Sequence, residues 1–483
     1  MSHQPPIPES LWNTVPPEAQ AALLTAWDSL TARIAELEAR VRDLEARLKL
    51  NSTNSSKPPS SDPIGLKRKP PAPPSRRKRG GQPGHPKAFR PLVPPEKLHS
   101  SRDCKPRACR RCGQALHGED PSPVLHQVAE LPKIEPLVDQ YRLHRLSCPN
   151  CGATTCGTLP AGVPTGSFGP YLQAVLATLA GAYRLSKRQI QQVSHDLFGL
   201  SISTGMISKL EQQTAQALEA PYQELATAVH QAAVIHVDET GWREDRKKAW
   251  LWATVTAMTT VFTIARNRTA AIAQAVLGTQ AGPIAVTDRL SVYDWIAGSS
   301  RQVCWSHLRR DFQAMIDRGG PAEPIGRKLL RLSDRLFRWW HRLEAQKVDR
   351  GRFSAAMVRL RREVKAALED GTRCSCPTTR GTCAEILRVE ESLWTFARVV
   401  GVAPTNNAAE RAERHAVIWR RISGGTDSAR GSRFVERMLT VVATCRQQGR
   451  NILDYLTSCF QAERKGQAIP SLLPVTAPAI KVA

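Results

Sequence analysis

The stretch VIHVDETGW, residues 234–242, sets two acids at the end of an apolar run. Val234, Ile235 and Val237 suit the interior of a sheet. Asp238 and Glu239 follow at once, where the strand is expected to leave it. Another acid, Asp288, closes a second apolar run, GPIAVTD. A third, Glu410, lies in APTNNAAERAERHAVIWRR, where Asn406 and Asn407 lead into a helix and Glu410 and Glu413 share one face. Carboxylates brought face to face repel unless a cation lies between them. Hard oxygen ligands in an open site suit Mg2+ or Mn2+. A two-metal site commonly draws a further oxygen from a third acid, and Glu410 is the candidate. Four thiols offer a separate chemistry. Cys109 with Cys112, and Cys148 with Cys151, form two C-x2-C pairs, each followed by glycine (Gly113, Gly152). Two such turns complete a tetrahedral zinc site. Cys104 and Cys156 are nearby thiols outside this set.

The elements that must position the acids follow from a change of period after residue 230, from helical to strand-like. AVIHV, AWLWATVTA and TVFTIAR read as three strands, TAAIAQAVLG as a helix, GPIAVTD as a fourth strand and QVCW as a fifth, before SHLRRDF opens a helix. The order β-β-β-α-β resembles the ribonuclease H fold. That resemblance implies an α/β core whose first and fourth strands are neighbours, so that Asp238 and Asp288 meet. From about residue 308 to 400 the chain is mostly helical and basic, as in RKLLRLSDRLFRWWHRLEAQ, with no acid motif. Cys374, Cys376 and Cys383 in this segment have no assigned role.

Ahead of this core the chain changes character several times. Leu23, Trp27, Leu30, Ile34, Leu37, Val41, Leu44 and Leu48 are spaced by alternating steps of four and three, a heptad seam. Such a helix either packs on its own domain or pairs with a second copy. The linker NSTNSSKPPSSD that follows favours pairing. KRKPPAPPSRRKRGGQPGH then holds a dense basic run with little to bury, an extended arm in which Arg76, Arg77, Lys78 and Arg79 could contact phosphates. A small β insert, VLHQVAELP with VDQYRLHRL, is expected between the cysteine pairs. LSKRQIQQVSHDLFGLSISTGMISKLEQQ has a helix-turn-helix layout. Ile190, Val193 and Leu197 mark one helix, Gly199 the turn, Ser203 a cap, and Met206, Ile207 and Leu210 a second helix. A plain helical hairpin has the same pattern. The basic context favours DNA contact, with Lys187, Arg188 and Lys209 as candidates.

The balance of charge points the same way. The 483 residues carry 68 Lys and Arg against 43 Asp and Glu, a formal net charge of +25. That excess draws polyanions, either nucleic acid or an anionic membrane surface. No apolar run is long enough to span a bilayer. The start, MSHQPPIPES, lacks the features of a signal peptide. A cytoplasmic protein associated with the bacterial nucleoid is expected. There its 12 cysteines stay reduced and favour metal over disulfides.

Taken in order, the heptad helix, NSSKPPSSD, KRGGQPGH, CRRCG with CPNCG, HVDETGW, TDRLSVY, CWSHLRRDF and TNNAAERAER resemble a transposase of the insertion sequence 66 family, within the DDE group. The resemblance covers most of the length and assigns the catalytic, magnesium-holding acids to Asp238, Asp288 and Glu410. It divides the chain into a coiled-coil helix (1–50), a basic arm (51–98), a zinc-binding domain (99–160), a helix-turn-helix region (165–228), a catalytic core in two parts (229–307 and 401–460) around a helical insertion (308–400), and a tail (461–483). One position departs: Arg289 follows Asp288 where the family usually has glycine, so a cation stands beside the metal site. The implied reaction is metal-dependent cleavage at the ends of an element and transfer of the freed 3′-hydroxyl to target DNA, with helper proteins of the same element as further partners. Two rivals are a zinc-containing DNA-binding regulator, which leaves the three acids unexplained, and a metal-dependent nuclease that cuts without joining.

Overall fold

In a computed structural model of the chain, a single turn, α1 (Glu9–Trp12), precedes the long helix that the heptad spacing predicts, α2 (Pro17–Leu48). The structure describes residues 7–48, 50–51, 53–55, 62, 91–279 and 282–474. Arg76, Arg77, Lys78 and Arg79 of the basic arm lie outside them. Along α2 the seam residues Leu23, Leu30, Ile34, Leu37, Val41, Leu44 and Leu48 are exposed.

The chain divides into two units. The smaller comprises Lys67–Val138 with Leu197–Gly199, and the larger comprises the rest. Within the smaller, Gln127 exchanges two hydrogen bonds with the backbone of Val93, and Ala108 bridges to Ala115 across the first cysteine turn. In the larger, β1 (Arg145–Ser147) and β2 (Thr154–Cys156) pair antiparallel around the second cysteine turn. The β insert expected between the cysteine pairs is not formed: residues 123–144 carry neither helix nor strand, and Val124, Val128, Leu131, Leu137 and Val138 are exposed. An alternating run becomes a strand only when it has an edge to pair with and a face to bury. Among the described residues it has neither.

Helices α3 (Pro170–Gly181), α4 (Lys187–Phe198), α5 (Thr204–Ala217) and α6 (Glu219–Val229) follow. Ser203 caps α5 as its type suggests, accepting a hydrogen bond from the Met206 amide at 3.1 Å. Ile190, Ile207 and Leu210 are buried, whereas Leu197 is exposed.

The sheet comprises β3 (Val234–Glu244), β4 (Lys247–Val255), β5 (Thr260–Ala265), then, after α7 (Ala270–Leu277), β6 (Ile284–Thr287) and β7 (Arg301–Val303). Its order is β5-β4-β3-β6-β7. The first three strands are antiparallel, and β6 and β7 join parallel beside β3. The first and fourth strands of the series are therefore neighbours. One expectation fails here. β3 does not leave the sheet at Asp238 but runs to Glu244, paired throughout with β4. Only its parallel ladder with β6 ends early, at His236 opposite Val286. Asp245 and Arg246, both with positive φ, make the two-residue turn into β4, the geometry that suits the strands' right-handed twist.

A helical segment, α8 (Trp305–Arg318), α9 (Glu323–Glu344), α10 (Arg350–Thr372), α11 (Pro377–Arg388) and α12 (Thr395–Arg398), surrounds its own core of Phe312, Leu329, Phe353, Leu360, Trp394 and neighbours. Cys374 and Cys383 are buried there, and the Cys374 thiol donates to the Pro321 carbonyl at 3.5 Å, so these thiols serve packing. The chain then returns through α13 (Asn407–Ser423), α14 (Ala429–Gln448) and α15 (Ile452–Arg464). Even-numbered residues of β3 face a core that includes Ala416 of α13 and Val435 and Leu439 of α14. Odd-numbered ones face a larger core with Ala273 of α7 and Tyr293.

Side chains take up the outward backbone of β5 and part of that of β7. On β5 the outward amides of Ile264, Phe262 and Thr260 donate to Glu436, Thr440 and Thr444, one per turn of α14, the last two at 3.0 and 3.1 Å. Tyr222 of α6 donates to the Phe262 carbonyl at 3.0 Å. On β7 the Thr395 hydroxyl donates to the Arg301 carbonyl at 2.6 Å, and Gln302 accepts from the Phe396 amide at 2.8 Å. A buried amide without an acceptor costs about 1–3 kcal/mol. Thr440→Val, which keeps the shape and removes the acceptor for Phe262, is expected to lower the stability by about that amount in urea unfolding. An unchanged midpoint would show that the helix does not serve the strand in this way.

Candidate functional site

The ladder between β3 and β6 ends at His236 opposite Val286, and β6 itself ends at Thr287. Continuing that register by two places brings Asp288, the residue just past β6, to the level of Asp238, and the two are near enough for the charge of Asp288 to raise the Asp238 pKa. Asp238 points to the α13 face of the sheet with His236, Thr240 and Trp242. Glu239 points to the opposite face, toward Tyr293 and Arg268.

The turn that presents Asp288 is shaped by a cation that the sequence gives no sign of. Arg301 is 2% exposed and lies under residues 287–294. It donates to the Thr287 hydroxyl (3.0 Å), to the carbonyls of Asp288 (3.1 Å), Leu290 (3.3 Å) and Tyr293 (3.3 Å), and to the Asp294 carboxylate (3.0 Å). The Asp288 carboxylate accepts the Leu290 amide at 2.9 Å. Arg289, the extra cation beside it, is turned to α8 and paired with Asp311 at 2.7 Å.

Glu410 reaches the same face of the sheet because Asn406 fixes the start of α13. Asn406 is fully buried. Its Nδ2 donates to the Val237 carbonyl at 2.7 Å, its Oδ1 meets His236 Nδ1 at 3.3 Å, and its amide donates to Cys304 Sγ at 3.1 Å. Glu410 follows one helical turn later, its amide bonded to the Asn406 carbonyl at 3.2 Å. Glu413, one turn on, is buried, and neither its Oε1 nor Glu410 Oε1 has a hydrogen-bond partner among the described residues.

This crowding of acids has an electrostatic signature. Burial, and then the charges of Glu239, Asp288 and Glu410, push the Asp238 carboxyl well above its ordinary range. Burial, and then Asp238, Glu239 and Glu410, do the same to Glu413, with Arg420 opposing. Glu239 is pushed up to about 7 by burial and Asp288, against its contacts with Tyr293 and Arg268. A divalent cation would relieve the repulsion on the α13 face, and orphaned carboxylate oxygens are the donors a hard ion takes. Asp238, Asp288 and Glu410 do not form a set drawn within 4.8 Å of one another. Among the described residues the set that does is Cys304, His307 and Glu410. Glu410 leans toward α8, 3.8 Å from His307 Nε2 and 3.9 Å from Arg310. The sequence marks neither His307, whose partner Glu410 is distant in the chain, nor Arg301, whose partners gather only once the turn at residues 287–294 has folded.

Each cysteine pair sits on a turn of the same form. The amides of Cys109 and Cys148 donate to the carbonyls of Gln114 and Ala153, both at 2.8 Å, and the amides of Gly113 and Gly152 return to the carbonyls of Cys109 and Cys148, both at 2.9 Å. Gly113 (φ +78°) and Gly152 (φ +71°) hold left-handed conformations that only glycine adopts without strain. Backbone amides, first that of Arg111 and then that of Cys112, lower the pKa of Cys109. Those of Cys151 and Asn150 lower that of Cys148. Of the candidate DNA contacts, Arg188 and Lys209 are exposed, and Lys187 pairs with Glu211 at 3.3 Å while keeping much of its surface in solvent. No helix among the described residues is long and apolar enough to cross a membrane.

Against known proteins, the model of the Transposase IS66 family matches residues 165–433, more than half of the chain and all three acids. The model of a family of unknown function (DUF6444) matches residues 5–91. An uncharacterized protein of Sinorhizobium fredii, y4hP, is 24% identical over 383 residues, which cover 71% of this chain and 68% of that one.

Proposed function

Because the chain belongs to the IS66 family of transposases, we propose that it cuts the ends of an insertion sequence and joins them to target DNA, with Asp238, Asp288 and Glu410 as the catalytic acids. The observation that carries this reading is the adjacency of Asp238 and Asp288 at the end of the β3–β6 ladder, under a helix pinned by Asn406 to the carbonyl just before Asp238. The sheet order, with the first strand central and the fourth beside it, is the one expected of a ribonuclease H-like core. Mg2+ or Mn2+ bound by these acids would clamp the attacking and leaving oxygens of an in-line displacement and activate water. Asp238 and Asp288 offer oxygens from two strands, and Glu410 closes the set from α13. Glu413, buried behind them with its carboxyl pushed well above the ordinary range, gives up its proton most readily when a cation is bound nearby. Arg289 is occupied by Asp311, so the departure from glycine leaves the cation turned away from the acids.

The other parts take supporting roles in this reading. The arm residues Arg76, Arg77, Lys78 and Arg79 and the α4–α5 pair, with Lys187, Arg188 and Lys209, contact DNA phosphates as a helix-turn-helix with its tether. Cys109, Cys112, Cys148 and Cys151 hold one structural zinc ion. The glycine turns with amides directed at sulfur support this, as each is suited to two thiolates. The α2 seam pairs copies of the chain, because apolar positions spaced at heptad steps stay exposed on one chain alone.

Strand cleavage and joining with Mg2+ and end-containing DNA test the acids. Asp238→Asn, Asp288→Asn and Glu410→Gln are each expected to lower the rate by about 100-fold or more, the several kcal/mol a metal site supplies, with DNA binding retained. Normal cutting by any of them would remove that residue from the site, and cutting without joining by the unaltered protein would make it a nuclease. For zinc, metal analysis of the purified double variant Cys112→Ser with Cys148→Ser is expected to find about one ion fewer per chain than in the unaltered protein. Equal zinc content would exclude these thiols. For the seam, light scattering is expected to show a shift toward monomer when residues 1–50 are deleted. An unchanged mass would place the contact between copies elsewhere.

A further inference from the structure

Cys304 stands at the junction of β7 and α8, as the N-cap residue of that helix, and His307 lies one turn in. Glu410 comes from the first turn of α13. A thiol, an imidazole and a carboxylate thus converge from two helix starts, with ligand atoms all within 4.8 Å of one another. Two further observations set the cluster apart from ordinary packing. His307 Nδ1 and Glu410 Oε1 are both buried and without hydrogen-bond partners among the described residues. The sulfur, by contrast, is well supplied: the amide of Asn406 donates to it at 3.1 Å, and the backbone amides of Ser306 and His307 are also directed at it. Burial pushes the Cys304 thiol up to about 11 against these amides, so the sulfur is a protonated thiol until a cation replaces its proton, and the amides then support the thiolate that binds metal.

We propose that Cys304, His307 and Glu410 form a site for a borderline transition ion, zinc above all, and that an ion bound there takes Glu410 away from the magnesium-dependent reaction. Thiolate and imidazole select such ions and reject magnesium, which wants oxygen alone. Zinc bonds of about 2.0–2.3 Å place tetrahedral ligands about 3.3–3.8 Å apart, so the widest pair of the cluster must close by about 1–1.5 Å at most. That is within reach of rotations of His307 and Glu410, which already lie 3.8 Å apart. On binding, the Cys304 thiol gives its proton to solvent and the sulfur takes up the metal bond. Three protein ligands leave a fourth position for water. The consequence for activity rests on the catalytic role proposed for Glu410, whereas the binding itself does not.

The test uses the full chain and Co2+, which reports thiolate coordination by a charge-transfer band in the near ultraviolet. The unaltered protein, Cys304→Ser and His307→Gln are titrated side by side, so that the contribution of the other thiols cancels in the difference spectra. The unaltered protein is expected to take up one more equivalent of Co2+ than Cys304→Ser, with a thiolate band that the variant lacks. His307→Gln, which keeps the thiol and its amides, is expected to bind that equivalent at least about tenfold more weakly. Asp238→Asn is expected to keep the band, separating this site from the magnesium-binding acids. In cleavage assays with Mg2+, the fold-inhibition by added Zn2+ is expected to fall in Cys304→Ser. Equal cobalt uptake and equal bands in all three proteins would overturn the site. If no protein cleaves DNA under any condition, the catalytic reading fails, and the cobalt spectra still decide this one.

Discussion

The arrangement of acids depends on one buried side-chain amide. Asn406 uses its donor on the carbonyl of Val237 and its acceptor on the ring of His236, so it is fixed to β3 at the two residues just before Asp238. The helix that bears Glu410 cannot shift along the sheet without breaking both bonds. Its amide, bonded to Cys304, ties the start of α8 to the same point. Opposing this is the mutual repulsion of Asp238, Asp288, Glu410 and Glu413, which burial magnifies. The scaffold thus holds like charges together that would separate in a free chain, and that tension is what makes the place attractive to a cation.

Glu410 lies between two sets of partners. On one side are the strand carboxylates. On the other are His307 and Arg310 of α8, which it approaches at 3.8 and 3.9 Å. A carboxylate with acids on one side and the Arg310 guanidinium and an imidazole on the other is drawn both by the guanidinium and by any cation among the acids. α8 belongs to the helical segment and leads directly from β7, so the position of this acid is coupled to how that segment packs on the sheet.

How far the sequence reveals this depends on the range of the interactions. Strand runs, the seam of α2 and the Ser203 cap are set by near neighbours, and they are visible as spacing and residue type. The extent of β3 is not legible, because an acid after an apolar run looks like the end of a strand. In fact only the pairing with β6 stops there, while β4 carries the strand on to Glu244. The strands expected between the cysteine pairs failed for the opposite reason: the alternation is present and the partner is not. As sequence, Asn406 marks only the approach to a helix, and Arg301, His307 and Glu413 carry no sign of their roles. Asn406 and His307 meet partners far away in the chain, and Arg301 acquires its role from the fold of the turn at residues 287–294 just before it, which residue type alone does not record.

The side chains at the two edges of the sheet have a consequence for the behaviour of crowded copies. An open strand edge is a template on which another chain can anneal, and proteins that gather at high local concentration are the most exposed to that error. Here the acceptors for β5 come from one turn after another of α14, and at β7 the Thr395 hydroxyl takes the Arg301 carbonyl while the Gln302 side chain takes the Phe396 amide. The outward amides of β5 are taken, and β7 is three buried residues long, so neither edge offers a long open row to a passing chain. Strand addition is disfavoured at this sheet, which leaves helices and loops as the surfaces for association between copies.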